Sequence, residues 1–257
     1  MEPLTSVLMP AYRSEATIRE SVASALSQTE GRLEVIVVDD ASPLPVAEVL
    51  ADVRDPRLRI IRRSRNGNTA AARNTGLAAA RAPLVSQLDA DDLWEPDYLE
   101  TVLPLFDDPA VGLAYTNTHI IGHPHGHDDY IGDPSPHPLD RFPKLADACP
   151  VPAPTATMRA AAVRAAGGYS RWLWTATDYH LYAKLVAAGW RFAYVHRQLA
   201  HYRWPSGASK SAALRRVELA ELQLWLAFAV RHPRIPGPKR QVRMRLGREL
   251  QRLMRRR

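Results

Sequence analysis

Cysteine is nearly absent from this chain. The single residue, Cys149, leaves no partner for an internal disulfide, which suits a reducing compartment. Long apolar runs are missing too. The longest, Leu222 to Val230, falls far short of the ~20 residues that cross a bilayer. The opening MEPLTSVLMP reads as a strand and lacks the basic, apolar, small-residue order of a secretory signal. A cytoplasmic protein, soluble or peripheral on the membrane, is expected. Net positive charge is missing outside one place. Of 34 Lys/Arg and 27 Asp/Glu, residues 231–257 hold 11 bases and one acid, so this tail is +10 while the rest is −3. A nucleic-acid or membrane argument must therefore rest on the tail. With 257 residues, 46% of them hydrophobic, the chain can bury one sizeable core and a small second lobe.

What is present is alternation. Apolar runs at Thr5–Met9, Leu33–Val38, Leu58–Ile61 and Leu84–Leu88 read as strands. Helical patterns with Ile18, Val22, Ala25 and Leu26 on one face, near Val46–Val53, and over Thr69–Ala80 lie between them. Consecutive apolar residues in Leu33–Val38 suit a strand covered on both faces. The pattern predicts an α/β fold, with an open, mostly parallel sheet, flanking helices and a C-terminal helical extension. Ligands of such sheets sit beyond the carboxyl ends of the strands. Further on, Pro96–Phe106, Tyr179–Ala188 and Leu214–Val230 read as helices, and Val111–Ile121 and Phe192–Val195 as strands. Residues 122–154, rich in Pro, His, Asp and Gly, read as a long functional loop. The expected division is a domain over 1–230, with a nucleotide-binding half (1–100) and an acceptor half (101–230), followed by a basic tail (231–257).

Both acidic clusters fall at strand ends. Asp89-Ala90-Asp91-Asp92 follows the Leu84–Leu88 strand, and carboxylates two apart can share one hard cation such as Mg²⁺ or Mn²⁺. That ion would neutralise a diphosphate leaving group. The competing reading has these acids capping the next helix. Asp39-Asp40 closes the second strand, where a carboxylate can accept bonds from a base or ribose, or form an Asx-turn before Pro43. Arg73-Asn74 lies in the Ala-rich helix, either on a solvated face or against a base or phosphate.

Four segments together resemble the family 2 glycosyltransferases of the GT-A fold. They are Ser6–Tyr12 (SVLMPAY), Glu34–Ser42 (EVIVVDDAS), Ala72–Gly76 (ARNTG) and Leu88–Asp92 (LDADD) followed by Trp94-Glu95-Pro96. A weaker likeness runs through Gly167-Gly168-Tyr169 to about Arg203. The resemblance implies a GT-A, Rossmann-like sheet and an inverting transfer from a nucleotide sugar, UDP-linked by preference, assisted by Mn²⁺ or Mg²⁺. It implies that Pro10, Ala11 and Tyr12 wall the base and that Asp40 or Asp39 bonds its edge. Arg73, Asp89 and Ala90 would approach the nucleotide, and Asp91 with Asp89 would hold the metal. Asp178, ahead of the Tyr179–Ala188 helix, takes the place of the general base, although Thr177 stands where the family carries glutamate. A family histidine after Tyr202-Arg203 is replaced by Trp204-Pro205, and His201 is the candidate substitute as metal or phosphate contact. Gln198, Arg203 and Trp204 lack the spacing of processive synthases, so single additions are expected. The acceptor would be a glycan, a lipid-linked sugar or a small molecule.

Two features remain outside that resemblance. His119, His123, His125, His127 and His137, with Asp128 and Asp129, fit either zinc or an acceptor-side lid. The lid is preferred, because no cysteine joins them and the spacing matches no closed structural site. In the tail, Val242, Leu246, Leu250 and Leu253 recur at helical spacing among arginines, which suits an anionic membrane surface or packing on the body through residues 238–257. Two other activities compete with glycosyl transfer. A sugar-nucleotide nucleotidyltransferase would show a glycine-rich phosphate loop where Pro10–Ser14 stands without glycine. A nucleic-acid-binding protein would contradict the acidic body, so no nucleic-acid partner is expected.

Overall fold

The computed structural model describes residues 2–122, 128–131, 151–204, 210–235 and 237–254. The chain opens as expected: β1 (Thr5–Ala11), α1 (Ile18–Leu26), β2 (Leu33–Asp39), α2 (Val46–Val49), β3 (Leu58–Arg62), α3 (Asn68–Ala79) and β4 (Leu84–Gln87). It continues through β5 (Leu93–Trp94), α4 (Tyr98–Val102), a 3₁₀ turn (Leu103–Asp107) and β6 (Val111–Ile121). The remainder comprises β7 (Thr157–Arg159), α5 (Ala160–Ala165), α6 (Thr177–Ala187), β8 (Arg191–Arg203), α7 (Lys210–Arg231) and α8 (Pro238–Met254).

One eight-stranded sheet runs β3–β2–β1–β4–β7–β6–β8–β5. The pairs β3–β2, β2–β1, β1–β4 and β6–β8 are parallel, while β7 and β5 run antiparallel to their neighbours. Successive residues of a strand face opposite sides, so the unbroken apolar runs feed two cores. Val7, Met9, Val35 and Val37 pack with α1, whereas Leu8, Ile36 and Val38 pack with α3 and, through Tyr169 and Tyr179, with α6. Gly76 lets α3 approach closely. A Cβ there would lie 3.2 Å from Leu8 Cδ2 and 3.4 Å from Val38 Cγ2.

Several boundaries differ from the periodicity. The Val46–Val53 helix stops at Val49. The Pro96–Phe106 helix starts at Tyr98 and tightens to 3₁₀ at Leu103, where Pro104 has no N–H to continue the ladder. The Phe192–Val195 strand extends to Arg203, because β6 pairs with it past the polar His196-Arg197-Gln198 through register shifts at Thr116/Asn117 and Asn117/His119. β5, β7 and α5 were not anticipated. Each is too short to build a period.

The basic tail folds back as α8. Gln241 is buried, Val242 and Ile235 pack against the core under α7, and Arg245 pairs with Glu221. No helix among the described residues is long and apolar enough to cross a membrane. His123, His125, His127 and His137, and with them most of the zinc-or-lid question, lie outside the described residues.

Candidate functional site

A cavity of about 570 Å³ opens beyond the carboxyl ends of β1 and β4. The connections leave β1 toward β2 on one side of the sheet and reach β4 on the other, the switch point where open α/β sheets bind ligands. Its lining comes from Pro10–Ser14 after β1, Ala16 and Thr17 ahead of α1, and Asp40 after β2. Thr69 and Ala72 of α3 and Asp89, Ala90 and Asp91 after β4 complete it. Tyr12 is half exposed, with the Arg13 guanidinium 5.4 Å from its ring centroid.

The two readings of Asp39-Asp40 divide between the two residues. Asp39 belongs to the turn: its carboxylate accepts N–H bonds from Ser42 (2.8 Å) and Val46 (3.2 Å) and pairs with Arg62 at 2.5 Å. Burial opposes its ionisation, yet these donors outweigh burial and hold it below the usual carboxylate range. Asp39 is absent from the cavity wall, so of the expected pair only Asp40 faces the cavity. Asp40 accepts from Arg63 and from the Gly67 N–H at 3.0 Å, leaving lone pairs for a ligand.

Arg73 is buried, which corrects the solvated-face reading. Its guanidinium donates to Asp89 at 2.7 Å and lies 5.6 Å from the Tyr169 ring centroid, so it reaches the cavity through Asp89. Burial disfavours its charge, but Asp89 together with Tyr169, Asp178 and Tyr182 outweighs that and holds its pKa above the ordinary value. Beside it Asp91 is exposed to the cavity, and burial, then repulsion from Asp89, raises its pKa. Asp92 is buried. Its Oδ1 accepts the Arg203 N–H at 2.9 Å, its Oδ2 finds no partner, and burial followed by Asp89 and Asp91 pushes it up to about 9. Three carboxyl groups face Arg73 and Arg203, and Arg203 also pairs with Glu20, which leaves this corner short of positive charge. The capping alternative falls away, because Asp97 occupies the cap of α4.

Asp178 sits in the first turn of α6, not at its cap, which is Ala176 at φ 55°. Its Oδ1 accepts the Tyr179 N–H at 2.8 Å, and no described residue forms an ion pair with it. Arg73, Tyr169 and Tyr202 all feel both Asp178 and Asp89, so the two carboxylates share one neighbourhood although α6 and β4 are far apart in sequence. His201 does not line the cavity. Its Nε2 bonds Glu95 Oε1 at 2.5 Å and its ring meets His119 edge-on. Among the described residues no three Asp, Glu, His or Cys side chains form a metal cage by themselves.

Sequence reasoning missed Thr17, whose hydroxyl donates to the Ala90 carbonyl at 2.8 Å and ties α1 to the acidic turn. Asn74, read from the sequence as solvated or in contact with a base or phosphate, is instead the clamp behind Arg73: Nδ2 donates to the Tyr169 carbonyl at 2.7 Å and Oδ1 accepts the Tyr169 N–H at 2.9 Å. Gly168 permits that clamp. It has φ 65°, and a Cβ would lie 2.4 Å from Asn74 Oδ1. Gly168→Ala is therefore expected to cost about 2–4 kcal/mol, from left-handed strain plus the lost bonds, read as a lower urea midpoint.

Residues 6–165 match the family model described as glycosyl transferase family 2. Among curated relatives, the succinoglycan biosynthesis protein ExoO of Rhizobium meliloti is 35% identical over 119 residues, 46% of this chain and 34% of ExoO. The UDP-Glc:alpha-D-GlcNAc-diphosphoundecaprenol beta-1,3-glucosyltransferase WfgD of Escherichia coli is 32% identical over 118 residues, 46% of this chain and 47% of WfgD. The matched segment thus spans less than half of either relative. Among solved structures, the mannosyltransferase PcManGT of Pyrobaculum calidifontis, in complex with GDP-Man and Mn²⁺, superposes with a TM-score of 0.70. It is 23% identical, with 95% of this chain and 69% of that one covered. The sheet order and this likeness give the GT-A fold. By its match over residues 6–165, the chain belongs to glycosyl transferase family 2.

Proposed function

We propose that the chain transfers a sugar from a nucleoside-diphosphate sugar, UDP-linked by preference, to an acceptor hydroxyl, with inversion and one sugar per encounter. One observation carries this reading: Asp89 and Asp91 line the same cavity as Tyr12 and Asp40. A base stacked on Tyr12, with its edge toward Asp40, sets its diphosphate toward the acidic turn. The uncompensated carboxyls there suit a divalent cation, which Asp89 and Asp91 would hold and which supplies charge to stabilise the departing diphosphate. Asp178 takes the proton of the acceptor hydroxyl while that oxygen attacks the anomeric carbon opposite the leaving group. Arg73 and Thr17 hold the turn in place meanwhile. Family membership favours this reading over nucleotidyl transfer, and the UDP-glucose in the name of WfgD supports the preferred nucleotide.

Thermal unfolding with UDP-, GDP- and dTDP-sugars, each with and without Mn²⁺, tests it. At a hundredfold excess over Kd, one donor should add about 2.7 kcal/mol, or roughly 5–10 °C, only with the metal. No shift with any of them would end the proposal.

Peripheral contact of residues 238–257 with an anionic membrane is a second proposal. The apolar stripe of α8 is docked at Val242 but exposed at Leu246, beside exposed Lys239, Arg240 and Arg243. Leu246→Glu with Arg243→Glu is expected to cut co-sedimentation with anionic vesicles severalfold. Unchanged pelleting would remove the idea.

A further inference from the structure

A second groove among the described residues lies away from the donor cavity. It has a volume of about 1380 Å³ and runs between α3, α5, α6 and α7. α6 turns the face bearing His180, Lys184 and Ala187–Ala188 toward it, while Asp178 lies near the opposite side of the helix by its 3.6-residue period. Arg63 lines the groove and pairs with Asp40 of the donor cavity, so one ion pair separates the two.

The groove's chemistry is one-sided. No aspartate or glutamate lines it, whereas Arg171, Lys184 and Arg231 do, and none of the three has an ion pair among the described residues. Lys184 spends two N–H groups on the carbonyls of Ala166 (2.8 Å) and Gly168 (2.5 Å), leaving the third free. Crowding is felt: burial and then Arg231 lower Lys184 to about 8, and burial, then Lys184, Arg231 and His232, lower His180 to about 4. His180 is thus neutral and bonded to Ser170 Oγ at 2.5 Å. Trp172, 52% exposed, stands edge-on to His180 and offers a flat apolar face of the kind on which sugar rings stack.

We propose that this groove is a second saccharide site, which holds a glycan bearing carboxylate or phosphate substituents beside the transfer site. The saccharide part rests on the glycosyl-transfer reading; the anionic part rests on the groove. Calorimetric titration of the full chain with a uronic-acid trisaccharide, a neutral trisaccharide and inorganic phosphate tests it, with and without UDP and Mn²⁺. The acidic trisaccharide should bind best, unaffected by UDP. It should weaken at least tenfold on Arg171→Ala with Arg231→Ala, both exposed. Trp172→Ala should weaken the trisaccharide and leave phosphate unchanged. Phosphate binding as tightly as the trisaccharide would leave an anion site without sugar recognition and overturn the proposal. So would undiminished binding by the double variant, displacement by UDP, or no binding of the trisaccharide. Loss of donor-induced thermal shifts would instead strike the transfer reading.

Discussion

Asp91→Asn is expected to lower sugar transfer by about 10³-fold while leaving the fold at least as stable as before. The kinetic part follows from charge. Neutralising a diphosphate that departs with its full charge is worth several kcal/mol, and ~4 kcal/mol is close to a factor of 10³. Asp91 is the acid of the turn most exposed to the cavity, since Asp89 is tied to Arg73 and Asp92 is buried against β8. The stability part follows from sign. A raised carboxylate pKa means that the ionised form is disfavoured in the folded state, so at neutral pH an amide removes the burial cost of the charge and its repulsion toward Asp89. Unfolding without metal should therefore occur at the same temperature or slightly higher, and Mn²⁺ should no longer shift it in the presence of donor. A variant that kept both the metal-dependent shift and transfer would place the cation elsewhere.

The first hundred residues were legible because their signals are local. β1, β2 and β4 are apolar runs that end in the residues lining the cavity, and a parallel sheet buries such runs on both faces. What could not be read is which of two neighbours faces inward. Asp39 and Asp40 look alike in the chain, and only the backbone turn to Ser42 and Val46 assigns one to structure and the other to the cavity. Arg73 in its alanine helix could be solvated or face a ligand, and the chain could not decide, because its partner Asp89 and the Tyr169 ring arrive from other elements. β8 was read at a third of its length, since its polar middle is held by pairing with β6 and by no period of its own. The same limit hid the basic groove, whose cations come from Arg171, Lys184 and Arg231 on a loop and two helices.

Asp178→Asn tests the other half of the mechanism, and here binding and chemistry should separate. Asparagine can still accept the Tyr179 N–H, so the start of α6 should survive, losing only the favourable charge at a helix N-terminus, about 0.3–1 kcal/mol. What it cannot do is take a proton from an acceptor hydroxyl. General-base assistance contributes 10²–10⁴-fold, so transfer should fall by roughly that factor. Donor affinity should stay within about twofold, because the cavity wall does not include Asp178. A positioning role would look different: Asp178→Glu would then fare as badly as asparagine, and the loss would appear in acceptor KM more than in kcat. A base, by contrast, shows its loss in kcat, and Asp178→Glu recovers part of it. If asparagine leaves kcat unchanged, or if donor binding falls in step with transfer, the proton is taken by another group. The shared neighbourhood of Asp178 and Asp89 around Arg73 and Tyr202 would then reflect only the packing of α6 on the sheet.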